Sequence, residues 1–73
     1  MIQQQNLYSI LPRIISNVTQ LIAGEKRIDP IEATKQFYAS ETYKKLEKVN
    51  TEYWKLGPVQ LFEAFMDEAK ENN

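Results

Sequence analysis

A chain of 73 residues is too short for two ordinary domains, and a domain of this size buries only about 60% of the surface its unfolded chain exposes. Its 42% hydrophobic and 26% charged residues are the proportions of a folding globular chain, not of a disordered one. Nine Lys and Arg against ten Asp and Glu, with no Cys and no His, leave no positive field for phosphate backbones or anionic lipid, no disulfide, no thiol or imidazole chemistry and few metal ligands.

The opening Met1-Ile2-Gln3-Gln4-Gln5 lacks the basic start of a signal peptide. No stretch approaches the roughly eighteen apolar residues that cross a bilayer, so a cytoplasmic protein without a membrane partner is expected. Leu11, Ile14, Ile15, Val18, Leu21 and Ile22 recur at three- and four-residue steps, the spacing of one helix face. This predicts a first helix that starts between Asn6 and Ser9, with Ser9 as its cap, and stops near Ala23, where Gly24 can take the left-handed conformation. Asp29-Pro30-Ile31-Glu32 is a start signal: Asp29 accepts from free backbone amides, Pro30 sits where no amide is needed, and Glu32 completes a capping box. The second helix then carries Ile31, Thr34, Phe37 and Tyr38 to about Ala39.

Ser40 caps a third helix over Glu41 to Val49, with Tyr43 and Leu46 inward and Lys44, Lys45, Glu47 and Lys48 outward. A break is expected at Asn50 and Thr51, both poor helix-interior residues, although Leu46, Val49, Tyr53 and Leu56 also fit a heptad seam that would continue the helix. Gly57-Pro58 opens a last helix to about Lys70, marked by Leu61, Phe62, Phe65, Met66 and Ala69. No segment alternates with period two, so the expected fold is all-α: a small bundle of four helices, the third short. It forms one domain over residues 1–73, with 1–6 and 71–73 frayed.

Two asymmetries point beyond the fold. Every charged side chain except Arg13 lies from Glu25 onward, and seven of the eight aromatic residues fall between Phe37 and Phe65. A nearly uncharged first helix suits the centre of a bundle, flanked on several sides. It also suits self-association, because interface centres are depleted in charge. On that second reading Ile14, Asn17, Val18 and Leu21 meet a second copy, within a polar face of Ser16, Asn17, Thr19 and Gln20. Among the aromatics, Phe37, Phe62 and Phe65 belong to the core. Tyr38, Tyr43 and Trp54 each carry a polar handle and are candidates to line a partner-binding groove. The Trp54 indole is expected to pack partly against the last helix, with its N–H near water or a polar partner.

Catalytic designs find little material. Ser9, Ser16 and Ser40 have no histidine to activate them, and the pairs Glu63/Asp67 and Asp67/Glu71 are ordinary charge decoration one helical turn apart. Both glycines lie outside any oxygen cluster of the kind that binds calcium or magnesium, so neither metal nor cofactor is expected. Lys44, Lys45, Lys48 and Lys55 could stack bases with the neighbouring aromatics, but Glu41, Glu47 and Glu52 nearly cancel them, which disfavours a nucleic-acid partner.

From Ala33 to Glu68 the chain resembles a family of small uncharacterised bacterial proteins, a domain of unknown function. Its members read Phe-Tyr-x-Ser-x-Thr-Tyr-x-x-Leu, then a threonine and tryptophan segment, then proline and an apolar helix. Phe37-Tyr38-Ala39-Ser40-Glu41-Thr42-Tyr43-Lys44-Lys45-Leu46 matches the first motif throughout, and Thr51, Trp54, Pro58, Leu61 and Phe62 fit the remainder. Tyr53 and Gly57 fall at variable positions of that pattern. The resemblance implies a bacterial origin and no particular activity. The expected function is a non-enzymatic protein–protein interaction module, either a homodimer or a small partner-binding subunit. The alternative is a small transcriptional or toxin-neutralising regulator with weak DNA binding, its second and third helices forming the DNA-reading turn.

Overall fold

The computed structural model describes residues 3–71, which form four α-helices and no strand. The order is α1 (Gln4–Lys26), α2 (Pro30–Tyr38), α3 (Glu41–Leu46) and α4 (Pro58–Glu71), with two single 3₁₀ turns, Val49–Thr51 and Tyr53–Lys55, between α3 and α4. The expected all-α bundle with a short third helix is the observed fold. α1 packs against α2, α4 and the second 3₁₀ turn, which makes it the central element.

Leu7, Leu11, Ile15, Val18 and Ile22 of α1 form one buried stripe against Ala33 and Phe37 of α2, Leu46 of α3, and Leu61 and Phe65 of α4. Phe37 anchors this core, its ring 5.7 Å from that of Tyr43 and 6.0 Å from that of Phe65. Phe62, expected in the core beside Phe65, is only half-buried on the flank of α4.

α1 is longer at both ends than its apolar spacing suggests. It begins at Gln4, so Ser9 lies inside the helix and caps nothing, and residues 4–6, expected to fray, are helical. The reason is tertiary: the Gln4 side chain donates to the Glu47 carbonyl and accepts from the Val49 N–H at 2.8 Å, which ties the first turn to the end of α3. At the other end the helix runs through Gly24 and stops at Arg27, which takes the left-handed conformation (φ 55°, ψ 49°) and donates its N–H to the Ala23 carbonyl. The Ile28 N–H bonds the same carbonyl at 3.1 Å, and Ile28 and Ala23 both pack on the core. These two bonds to the Ala23 carbonyl, with Ile28 packed on the core just beyond, fix the stop three residues beyond Gly24. Glu71 is helical too, while Met1, Ile2, Asn72 and Asn73 fall outside the described residues.

α2 starts at Pro30 as expected, with the Asp29 carboxylate accepting from the Ile31 N–H at 2.8 Å, but Glu32 does not return the reciprocal bond of the expected capping box. Ser40 caps α3: its hydroxyl accepts from the Tyr43 N–H at 3.0 Å and donates to the Phe37 carbonyl at 2.6 Å. α3 ends at Leu46, short of Val49: the expected break is present but falls at Glu47 and Lys48, Asn50 and Thr51 lie in a 3₁₀ turn, and the alternative of one helix continued along the heptad seam to Leu56 does not hold. The Thr51 hydroxyl bonds the carbonyls of Lys45 and Lys48, and Gln4 takes Glu47 and Val49, so backbone groups that would continue the helix are satisfied elsewhere. α4 opens with the Gln60 side chain reaching back to the Gly57 N–H at 2.9 Å.

Candidate interaction surface

The outer face of α1 carries a second apolar stripe beside the buried one. Ile10, Ile14, Asn17, Leu21 and Gly24 follow one another at steps of four, three, four and three residues, so they line a single edge of the helix. Ile10 is 39% and Leu21 36% exposed, Ile14 is half-buried, and Asn17 and Gly24 face outward. Nothing lies within 4 Å of where a Cβ on Gly24 would sit.

Of the four residues expected at a self-association surface, Ile14, Asn17 and Leu21 lie on this stripe and Val18 does not. Val18 is fully buried in the core, because its position on the helix turns it toward the Leu7–Ile22 stripe. Thr19, expected on the polar face, is also buried, and its hydroxyl bonds the Ile15 carbonyl at 2.8 Å. The residues missed are Ile10 and Gly24. The same heptad-like spacing would have found them, had it been carried past Ile14 toward the helix start and past Leu21 toward its end.

The three aromatic candidates do not form one groove. Tyr38 and Tyr43 meet edge to face, their rings 4.8 Å apart, and the Tyr8 hydroxyl lies close enough to influence Tyr43. Burial, and then the neighbouring Glu47 carboxylate, push the Tyr43 phenol above its ordinary value. Trp54 is half-buried and pairs with no aromatic ring among the described residues. Its indole N–H donates to the Val49 carbonyl at 2.9 Å, the polar partner expected for it, and Lys55 sits over its ring at 5.4 Å. Its turn packs on α1, and the Trp54 side chain packs on the core that Leu61 and Phe65 of the last helix share with α1.

Two shallow clefts flank α4. One, of about 310 Å³, lies between α3 and α4 and carries Glu41, Asp67, Glu68 and Glu71 together with Lys45 and Tyr53. Among the described residues no three acidic side chains converge as a metal site. Glu68 is engaged instead with the start of α3: it accepts from the Glu41 N–H at 2.7 Å, the Thr42 N–H at 2.9 Å and the Thr42 hydroxyl at 2.8 Å. Burial raises its pKa, but these hydrogen bonds and the charge of Lys45 outweigh that and hold the carboxyl below its ordinary range. No sequence signal could have found this contact, since its partners lie 26 and 27 residues away. The other cleft, of about 350 Å³, lies between α1 and α4 and is lined by Glu25, Phe62, Glu63, Met66, Asp67 and Lys70. Leu21, one turn before Glu25, carries the α1 stripe up to it.

No protein-family model, curated protein or solved structure matches the chain. The Phe37-to-Leu46 motif therefore has its meaning from geometry: Phe37 is core, Ser40 and Thr42 organise the start of α3, Tyr43 packs on Phe37, and Leu46 closes the core.

Proposed function

We propose that this chain is a non-enzymatic protein–protein interaction module whose binding surface is the outer face of α1. The observation that carries the reading is the Ile10–Ile14–Leu21 stripe, exposed at Ile10 and Leu21, on a helix face whose one charged residue before Glu25 is Arg13. A partner can cover such a face without stranding ions in a dry interface. The half-buried Phe62 and Met66 lie in the neighbouring cleft among Glu25, Glu63, Asp67 and Lys70, so the uncharged face ends near Leu21.

The regulator reading has less support. In helix-turn-helix recognition the start of the second helix approaches DNA, yet here the start of α3 is filled by the Glu68 carboxylate, which repels phosphate. Lys44 lies 3.6 Å from Glu41, and Lys45 sits over the Tyr53 ring, which leaves the expected basic patch partly engaged. A gel-shift assay at low salt should show no complex.

The test is affinity capture from the native cell with the wild-type chain and with the double variant Ile10→Lys/Leu21→Lys, whose circular dichroism should match the wild type. Partners held by the wild type should be lost by the variant. Retention of the same partners by both would remove α1 as the binding surface.

A further inference from the structure

We infer that the cleft between α1 and α4 is a docking site for a cationic amphipathic helix of a partner protein, one that carries apolar side chains on one face with Lys or Arg flanking them. This goes beyond the α1 face proposed above: it assigns a second surface, charged where the first is not, and the chemistry of what covers it.

The apolar half of the site comes from α4. Val59, Phe62 and Met66 follow at steps of three and four residues, so they lie along one edge of the helix, beside the buried Leu61 and Phe65. Val59 is 59% exposed, while Phe62 and Met66 are half-buried and supply the apolar part of the lining of the 350 Å³ cleft. The methionine thioether chain adapts readily to whatever side chain is laid on it.

The charged half comes from two helices. Glu25 of α1 and Glu63, Asp67 and Lys70 of α4 complete the lining, three acids against one base in a chain whose overall charge is only −1. None of the four makes an ion pair among the described residues. Lys26, next to Glu25 in the chain, donates to Gln36 at 2.8 Å instead. Glu63 and Asp67 stand one helical turn apart, a like-charge spacing that disfavours the helix until a cation settles beside them.

Together the two halves select the occupant. A lysine or arginine side chain is apolar along its stem and charged at its tip, so it lays its methylenes on Phe62 and Met66 and brings its head to the carboxylates. Apolar side chains at helical spacing on the same segment extend the contact along the edge toward Val59, the groove-binding mode of amphipathic helices. A purely apolar segment would cover the carboxylates without pairing them, and an acidic one would be repelled.

The probe is a synthetic helix-forming peptide of leucine and lysine, with leucine on one face, titrated into the full chain by calorimetry and by amide chemical shifts. Shifts should concentrate at Glu25 and from Phe62 to Lys70, and affinity should fall as salt is raised. Glu63→Gln/Asp67→Asn should weaken binding about fivefold. Glu32→Gln/Glu52→Gln changes the net charge equally but lies outside the cleft, and should weaken it less than about twofold. Val59→Ser, at an exposed site, should weaken it about threefold. Circular dichroism of every variant should match the wild type. Equal weakening by the two double variants, or shifts centred on another face, would overturn the cleft as the site. Equal binding of a peptide with alanine for leucine, which keeps the helix, would overturn the apolar contact, and equal binding of one with glutamate for lysine would overturn the cationic partner. No saturable binding by about 1 mM would overturn the proposal outright. The α1 face is tested separately, by the response of captured partners to Ile10→Lys/Leu21→Lys, so the two surfaces fail independently.

Discussion

Glu68, like Gln4, holds backbone that would otherwise be unsupported. The Glu68 carboxylate gathers the first two free N–H groups of α3 and the Thr42 hydroxyl, so it works as a cap donated by α4. Because its folded pKa is lowered, its contribution is present above the ordinary carboxylate value of about 4.3 and is lost as pH falls through the lowered one. Glu68→Gln should therefore destabilise the protein at pH 7 by about 1–2 kcal/mol, and the gap between variant and wild type should close toward pH 3, as read by urea denaturation. A gap independent of pH would show that the carboxylate charge has no part in the cap. Arg27 presents the opposite case, a residue with a side chain in a conformation that favours glycine. Arg27→Gly should raise stability by roughly 0.5–1 kcal/mol, since the strain it relieves exceeds the added freedom of the unfolded chain. Arg27→Ala should not.

Elements here are set by local signals at some ends and by distant partners at others, and this divides what could be read from the sequence from what could not. Asp29-Pro30 and Ser40 satisfy amides within three residues of themselves, so the starts of α2 and α3 follow from the sequence. The start of α1 and the end of α3 depend on each other through Gln4, 43 and 45 residues from its partners, and no local pattern announces such a clamp. Gly24 misleads for a related reason: glycine permits a helix to stop but does not compel it, and the Ile28 contact carries the helix past it. The interaction stripe was half visible, with Ile14, Asn17 and Leu21 on the right edge, while Val18 belongs to the neighbouring buried stripe a small rotation away. Replacing Gln4 by Ala should cost about 1–2 kcal/mol and abolish hydrogen-exchange protection at the Val49 amide, leaving the α2 amides protected. Pro12, exposed inside α1, lacks the N–H that would bond the Tyr8 carbonyl, so Pro12→Ala should stabilise the protein by up to about 3 kcal/mol.

Across the whole molecule a single core joins all four helices, and Trp54 reports on it from the turn that packs against α1. Tryptophan fluorescence and helical circular dichroism should therefore lose their native signals together on heating, as one cooperative transition. Phe37→Ala, which removes the ring touching Tyr43 and Phe65, should cost about 3–5 kcal/mol, much of what a chain this small has. That narrow margin gives self-association a measurable signature: if two chains pair through α1 and part on unfolding, stability depends on concentration. Above the dissociation constant each tenfold rise in concentration adds about 0.7 kcal/mol per chain, so the midpoint should climb by roughly 3–5 °C. Leu21→Lys should flatten this dependence while leaving the dilute midpoint near the wild-type value, because Leu21 lies at the edge of the fold and outside its core. A wild-type midpoint that stays fixed from micromolar to millimolar would mean that the α1 stripe adds nothing to stability through a second copy, and that the monomer's own core carries the fold alone.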